Sequence, residues 1–180
     1  MDADAYIMNR RRFLVASGLV ATAAVTGIAL RRATMPVPAV ADIMAELQAM
    51  RTRTISTLSG WSAYTVFSHL AQSIELSMTG YPSLKSPIFR YTAGPTAFFA
   101  FTTAGAMRHP LTEPIPGAPA IAESGDVQVA LERLLVALDT FVAHEGELAP
   151  HFAYGQLSKD EYAQAHTMHI RDHLRLFAPA

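Results

Sequence analysis

The stretch SKDEYAQAHTMHIRDHLRLF, Ser158 to Phe177, decides the fold. It carries three of the chain's seven histidines, His166, His169 and His173. At 100° per residue, steps of three, four and seven keep these imidazoles within about one 60° sector of a helix. Tyr162 lies one turn before them and Leu176 or Phe177 one turn after, so the stripe is the face that a helix buries. Ser158 and Glu161 open the stretch with the Ser-x-x-Glu spacing of a capping box. Imidazoles in a core stripe need partners for their ring nitrogens, and carboxylates, water or a metal ion can serve.

Working back along the chain, Asp126 to about His144 predicts a long helix in which Val127, Ala130, Leu131, Leu134, Leu138, Phe141 and Val142 form a 3.6-residue stripe. Trp61 to Met78 predicts another, stopped by Gly80, Tyr81 and Pro82, with His69 at its middle. The His69 face, with Ser62, Thr65, Val66, Gln72, Ser73 and Leu76, is too polar for a pure core. A shorter amphipathic helix runs from Asp42, a plausible N-cap, to about Thr52, with Ile43, Leu47 and Met50 at helical spacing. Seven of the eleven prolines fall between Tyr81 and Glu123, so regular structure there is brief. One short helix from Pro95 to about Gly105 is expected, and a tight turn over Ile115 to Pro119 laid on the helices. The sum is an all-α chain: a four-helix bundle with a long Pro-rich connection between its second and third helices.

The first forty residues read as something other than fold. Asn9-Arg10-Arg11-Arg12-Phe13-Leu14 has the form of a twin-arginine export signal, followed by an apolar run from Val15 to Leu30. Sixteen apolar residues suit a signal peptide better than a membrane-spanning helix, which needs about 20. Ala39-Val40-Ala41 offers a small-x-small cleavage pattern, giving residues 1–41 as the signal and 42–180 as the domain. Arg31 and Arg32 also suit an uncleaved membrane anchor. The expected location is therefore periplasmic or secreted, with a membrane-anchored form as the alternative.

No cysteine is present, which removes disulfides, thiolate ligands and cysteine nucleophiles. After Ala41, nine Lys and Arg stand against thirteen Asp and Glu, a net charge of −4. Without a positive stripe to neutralise phosphates, a nucleic-acid partner is not expected. His-Glu-x-x-His, paired Glu-x-x-His motifs, a glycine-rich phosphate loop and a Gly-x-Ser-x-Gly elbow are all missing. What remains is His169 and His173 at i, i+4, a spacing that lets two imidazoles reach one ion, with His69 as a third nitrogen if its helix faces theirs. Three protein ligands leave a coordination position open for water or a thiol, as in catalytic zinc sites. His166 is about 10 Å of helical rise from His173, too far for both to bind one ion, and is left outside the ligand set. His109, His144 and His151, in loops or at helix ends, read as packing or surface residues. Glu75 and Asp172 suit either carboxylates that orient a ligand histidine or ordinary solvated helix charges.

Trp61-Ser62, His69-Leu70-Ala71-Gln72-Ser73-Ile74-Glu75, Ser77-Met78-x-Gly80-Tyr81-Pro82, Pro114-Ile115-Pro116-Gly117-Ala118-Pro119 and the closing His166-x-x-His169-x-x-Asp172-His173-Leu174-Arg175-x-Phe177 together resemble an uncharacterised branch of the DinB-like superfamily. The resemblance spans most of the chain after residue 42. It implies a four-helix bundle in which His69, His169 and His173 bind a divalent metal ion, Zn, Ni or Fe. Asp172 stands where related proteins often have a further histidine. The resemblance also implies a thiol-dependent transferase or a hydrolase, acting on a small molecule or thiol, and a homodimer. The alternative is a non-catalytic metal-binding or small-ligand-binding protein of the cell envelope.

Overall fold

The computed structural model describes residues 40–58 and 60–177 of the chain. The twin-arginine motif, the apolar run and Ala39 lie outside the described residues. Helix α1, Val40–Ala49, runs into a 3-10 turn at Met50–Thr52 and buries Ile43 and Leu47. The chain is already helical at Val40, so Asp42 is not the cap. It sits in the first turn, where a carboxylate still complements the positive end of the helix. The expected cleavage point after Ala41 falls within that turn.

Helix α2, Ala63–Thr79, begins two residues later than expected because the Ser62 hydroxyl accepts from the Thr65 amide at 3.1 Å. Gly80 ends it at φ 107°, a conformation that side-chain-bearing residues rarely adopt. Two short helices follow where one was expected. Helix α3, Pro87–Tyr91, is too short for periodicity to reveal, yet it carries a local signal: the Ser86 hydroxyl accepts from the Phe89 amide, with Pro87 at the first helical position. Helix α4, Ala93–Ala104, starts two residues before Pro95, which a first turn tolerates, and stops at Gly105 in the left-handed region.

Helix α5, Val127–Ala143, matches its expected span, with the Asp126 carboxylate accepting from the Gln128 and Val129 amides at 2.8 and 3.3 Å. Its leucine stripe and Phe141 are buried, and α2 packs against it more extensively than against any other helix. Helix α6, Lys159–Leu174, has both halves of the capping box: the Glu161 amide donates to Ser158 Oγ at 3.2 Å, and the Ser158 amide to Glu161 Oε2 at 3.0 Å. Helix α6 packs on α1 and α2, and Phe177 beyond it stacks on Phe67 of α2 with ring centroids 5.2 Å apart.

The segment from 105 to 126 explains the polar face of α2. Gln72 Nε2 donates to the Pro119 carbonyl at 3.0 Å, Thr65 Oγ1 to Ala122 at 3.1 Å and Ser62 Oγ to Glu123 at 2.7 Å. Those side chains thus bind backbone groups that a sheet or helix would otherwise have satisfied. The expected turn is present: the Ala118 amide donates to the Ile115 carbonyl at 3.1 Å, Gly117 has φ 72° and Ile115 is buried. The fold is all-α; among the described residues there are only two isolated β-bridges and no strand. No described helix is long and apolar enough to cross a membrane.

Candidate metal centre

Packing α2 against α6 brings together residues a hundred positions apart. His69 on α2 and His169 and His173 on α6 each offer a ring nitrogen, and these atoms lie within 4.8 Å of one another. The ring centroids are 5.2 Å apart for His69 and His169, 5.1 Å for His69 and His173, and 4.8 Å for His169 and His173. Trp61, just ahead of α2, covers one side: its ring is stacked on His173 at 6.4 Å and edge-on to His69 at 5.0 Å.

A cation fits this donor set. His69 and His173 are buried, and Nδ1 of His69 and both ring nitrogens of His173 have no hydrogen-bond partner. Unpaired buried polar atoms cost about 1–3 kcal/mol each, and a cation that takes one nitrogen from each ring would offset part of that cost. Burial, and then the neighbouring rings, hold the imidazoles neutral, which is the form that ligates. Burial followed by His109 lowers the His69 pKa to about 4. Burial followed by His69 lowers His173 to about 3, and burial with His173 and His69 drives His169 well below 6.5. A divalent ion such as zinc, which takes imidazole nitrogens as ligands, would be held here by His69, His169 and His173.

The remaining histidines sort clearly. His166 stays out of the ligand set, as its helical rise requires: Nε2 donates to Ser77 Oγ at 3.2 Å, because the Ser77 proton is already given to the Ile74 carbonyl at 2.6 Å. His151 is buried, and its Nδ1 accepts from the Ala153 and Tyr154 amides, both at 3.1 Å. His144 closes α5, with Nε2 3.4 Å from the Glu147 carbonyl oxygen.

His109, expected as a packing or surface residue, does pack, but beside the candidate ligands: its ring lies 4.9 Å from His169 and 5.2 Å from His173. The 105–126 segment delivers it, and Asp172 fixes that segment. The Asp172 side chain is only 1% exposed; it accepts from Arg108 Nη1 at 2.7 Å, from Arg175 Nη1 and from the His109 amide at 3.3 Å. Its Oδ2 also lies 3.1 Å from His109 Nδ1, although the angle is outside that of a hydrogen bond. Burial alone would raise the Asp172 pKa, but its bonds from Arg108 and Arg175 outweigh this and leave it lowered. Asp172 thus steadies the histidine-bearing segment and not one of the three candidate ligands. Glu75 is further away in role: its carboxylate takes two bonds from Arg133, at 2.9 and 2.6 Å, on the exposed face of α2. No sequence periodicity could have found His109, since it lies on irregular backbone. The one usable signal was the proline-rich length of that connection.

A cavity of about 280 Å³ opens beside the cluster, lined by His69, His109 and His169 among others. His173 is fully buried and does not line it. No curated protein and no solved structure matches the chain. A family model does match residues 30–180, and by that match the chain belongs to DUF1569, a family of proteins of unknown function.

Proposed function

We propose that this chain is a metal-dependent enzyme of the DinB-like type, a four-helix bundle of α1, α2, α5 and α6 in which His69, His169 and His173 hold a divalent Zn, Ni or Fe ion. The observation that carries this reading is the cavity: two of the three candidate ligands line it, and the third is fully buried and forms no part of its wall. A protein that only sequesters a cation gains nothing from substrate-sized space beside it, so the arrangement favours catalysis over storage. The ion, when bound, supplies a polarised water or thiolate in its open position, the chemistry of a hydrolase or a thiol-dependent transferase. The chain's own residues orient the ligand rings and limit water. Trp61 shields His69 and His173 from one side, and the segment held by Asp172 places His109 across the cluster.

Elemental analysis of the purified chain, followed by titration of the metal-free form, tests this. One ion per chain is expected in the parent, with loss of uptake in His69→Ala, His169→Ala and His173→Ala and no loss in His144→Ala. A parent chain that binds no divalent ion, or variants that bind it equally, overturns the proposal. Hydrolysis of ester and amide panels is then compared with thiol-dependent transfer on the metal-loaded chain.

We also propose export through the twin-arginine machinery, on the strength of Arg10, Arg11, Phe13 and Leu14 followed by the apolar run. Replacing Arg10 and Arg11 together by lysine is expected to leave the chain in the cytoplasmic fraction. Homodimerisation is the corresponding family-level proposal, and sedimentation of the exported chain tests it.

A further inference from the structure

The walls of the cavity decide what can sit beside the ion. Phe89 of α3, Phe101 of α4, Met107 and Ile115 of the 105–126 segment, and Phe152 and Tyr154 of the turn before α6 line it. Its charged residues, Lys85 and Glu113, are both solvent-exposed, and no arginine lines it. Lys85 Nζ already rests 5.2 Å from the centroid of the Phe89 ring. Besides the candidate ligand His69, the buried polar groups in the lining are neutral ones: Ser73, His151 and His166. Because His151 Nδ1 accepts two main-chain amides, its proton sits on Nε2; because His166 Nε2 donates to Ser77, its Nδ1 is unprotonated. Away from the ion, the interior therefore holds no buried charge, and an ionic group drawn in against the apolar walls would lose its hydration without compensation. The volume is also just below the range typical of drug-sized ligands, roughly 300–1,000 Å³.

We propose that the cavity takes a mainly apolar small molecule with an uncharged body, the size of one aromatic ring or a short acyl chain, whose single polar head reaches the ion held by His69, His169 and His173. This rests on the metal-centre reading for the head and on the lining for the tail. Any polar remainder stays at the mouth beside Lys85 and Glu113. A compact, multiply charged thiol is excluded from the interior by the same lining.

Two probes with one metal-binding head and different tails test it: acetohydroxamate and benzohydroxamate, titrated into the cobalt(II)-loaded chain and read by its visible spectrum. Benzohydroxamate is expected to bind at least tenfold more tightly. Ala97→Phe, at a half-buried lining position on α4, fills the space, and Phe101→Glu sets a charge in its wall. Each is expected to weaken benzohydroxamate at least tenfold while leaving cobalt uptake and acetohydroxamate binding unchanged. Equal affinity for both probes in the parent, or equal weakening of both in the variants, overturns the ligand class while leaving the metal centre standing. A parent chain that takes up no cobalt overturns the metal centre instead. Toluene binding to the metal-free chain, followed by NMR, then decides the apolar cavity alone: binding lost in Ala97→Phe supports it, and no binding in the parent overturns it.

Discussion

At His173 stability and chemistry pull in opposite directions. The ring is fully buried with neither nitrogen hydrogen-bonded, a cost that a metal ion on one of them would partly relieve. His173→Leu, close in volume and without polar atoms, is therefore expected to abolish metal uptake yet stabilise the metal-free chain by about 1–3 kcal/mol in urea unfolding. A metal-free variant less stable than the parent would show that the ring is satisfied by some other means. His109 separates ligand from neighbour. Its ring touches His169 and His173, but its nitrogens lie outside the group that converges within 4.8 Å. His109→Ala is expected to retain one ion per chain, with affinity changed less than tenfold, whereas His69→Ala loses the ion.

Among the elements, α6 depends on its cap and α4 on a missing side chain. Both reciprocal bonds of the Ser158 and Glu161 box are made, and Ser158→Ala removes the hydroxyl that accepts from the Glu161 amide. A loss of about 1 kcal/mol in thermal or denaturant unfolding is expected. At Gly94 a Cβ atom would lie 1.9 Å from the Ala153 carbonyl oxygen, a backbone atom that cannot swing aside. Gly94→Ala is expected to part α4 from the turn before α6 and cost about 1–3 kcal/mol. Because Ala97, Phe101, Phe152 and Tyr154 all line the cavity, the same variant is expected to weaken benzohydroxamate binding. An unchanged melting temperature in Gly94→Ala would contradict the contact.

Over the whole molecule, buried neutral histidines make the metal-free fold acid-sensitive. Burial holds His166 at about 3, and burial followed by His166 holds His151 at about 3, against an unfolded value near 6.5. Above pH 6.5 neither state binds these protons. As pH falls below that, the unfolded chain takes up protons that the fold refuses, so stability declines until about pH 3, where the folded rings titrate as well. Each unit of depression is worth about 1.4 kcal/mol, so the melting temperature of the metal-free chain is expected to fall steadily between pH 7 and 4. His151→Asn keeps an acceptor for the Ala153 and Tyr154 amides but cannot titrate, and is expected to flatten that decline. An equally steep profile in the variant would remove His151 from the account.

Local signals were readable in the chain wherever one element sufficed to express them. The leucine stripe of α5, its Asp126 cap, the capping box of α6, the turn over Ile115 to Pro119 and the shared stripe of His169 and His173 are all short-range patterns set by helical geometry and turn chemistry. Other features were not readable because distant backbone supplies the partner. The polar face of α2 has meaning only against the carbonyls of residues 119–123, and Glu75 finds Arg133 of α5, not a ligand ring. The sequence by itself determined an all-α chain and a pair of imidazoles in register on its last helix. Only the tertiary structure decided that His69 meets that pair, that His109 joins them from irregular backbone under Asp172, and that the space beside them is apolar. Periodicity fixes which way a side chain points from its own axis, whereas convergence across a hundred residues depends on how separate helices and a proline-rich connection pack.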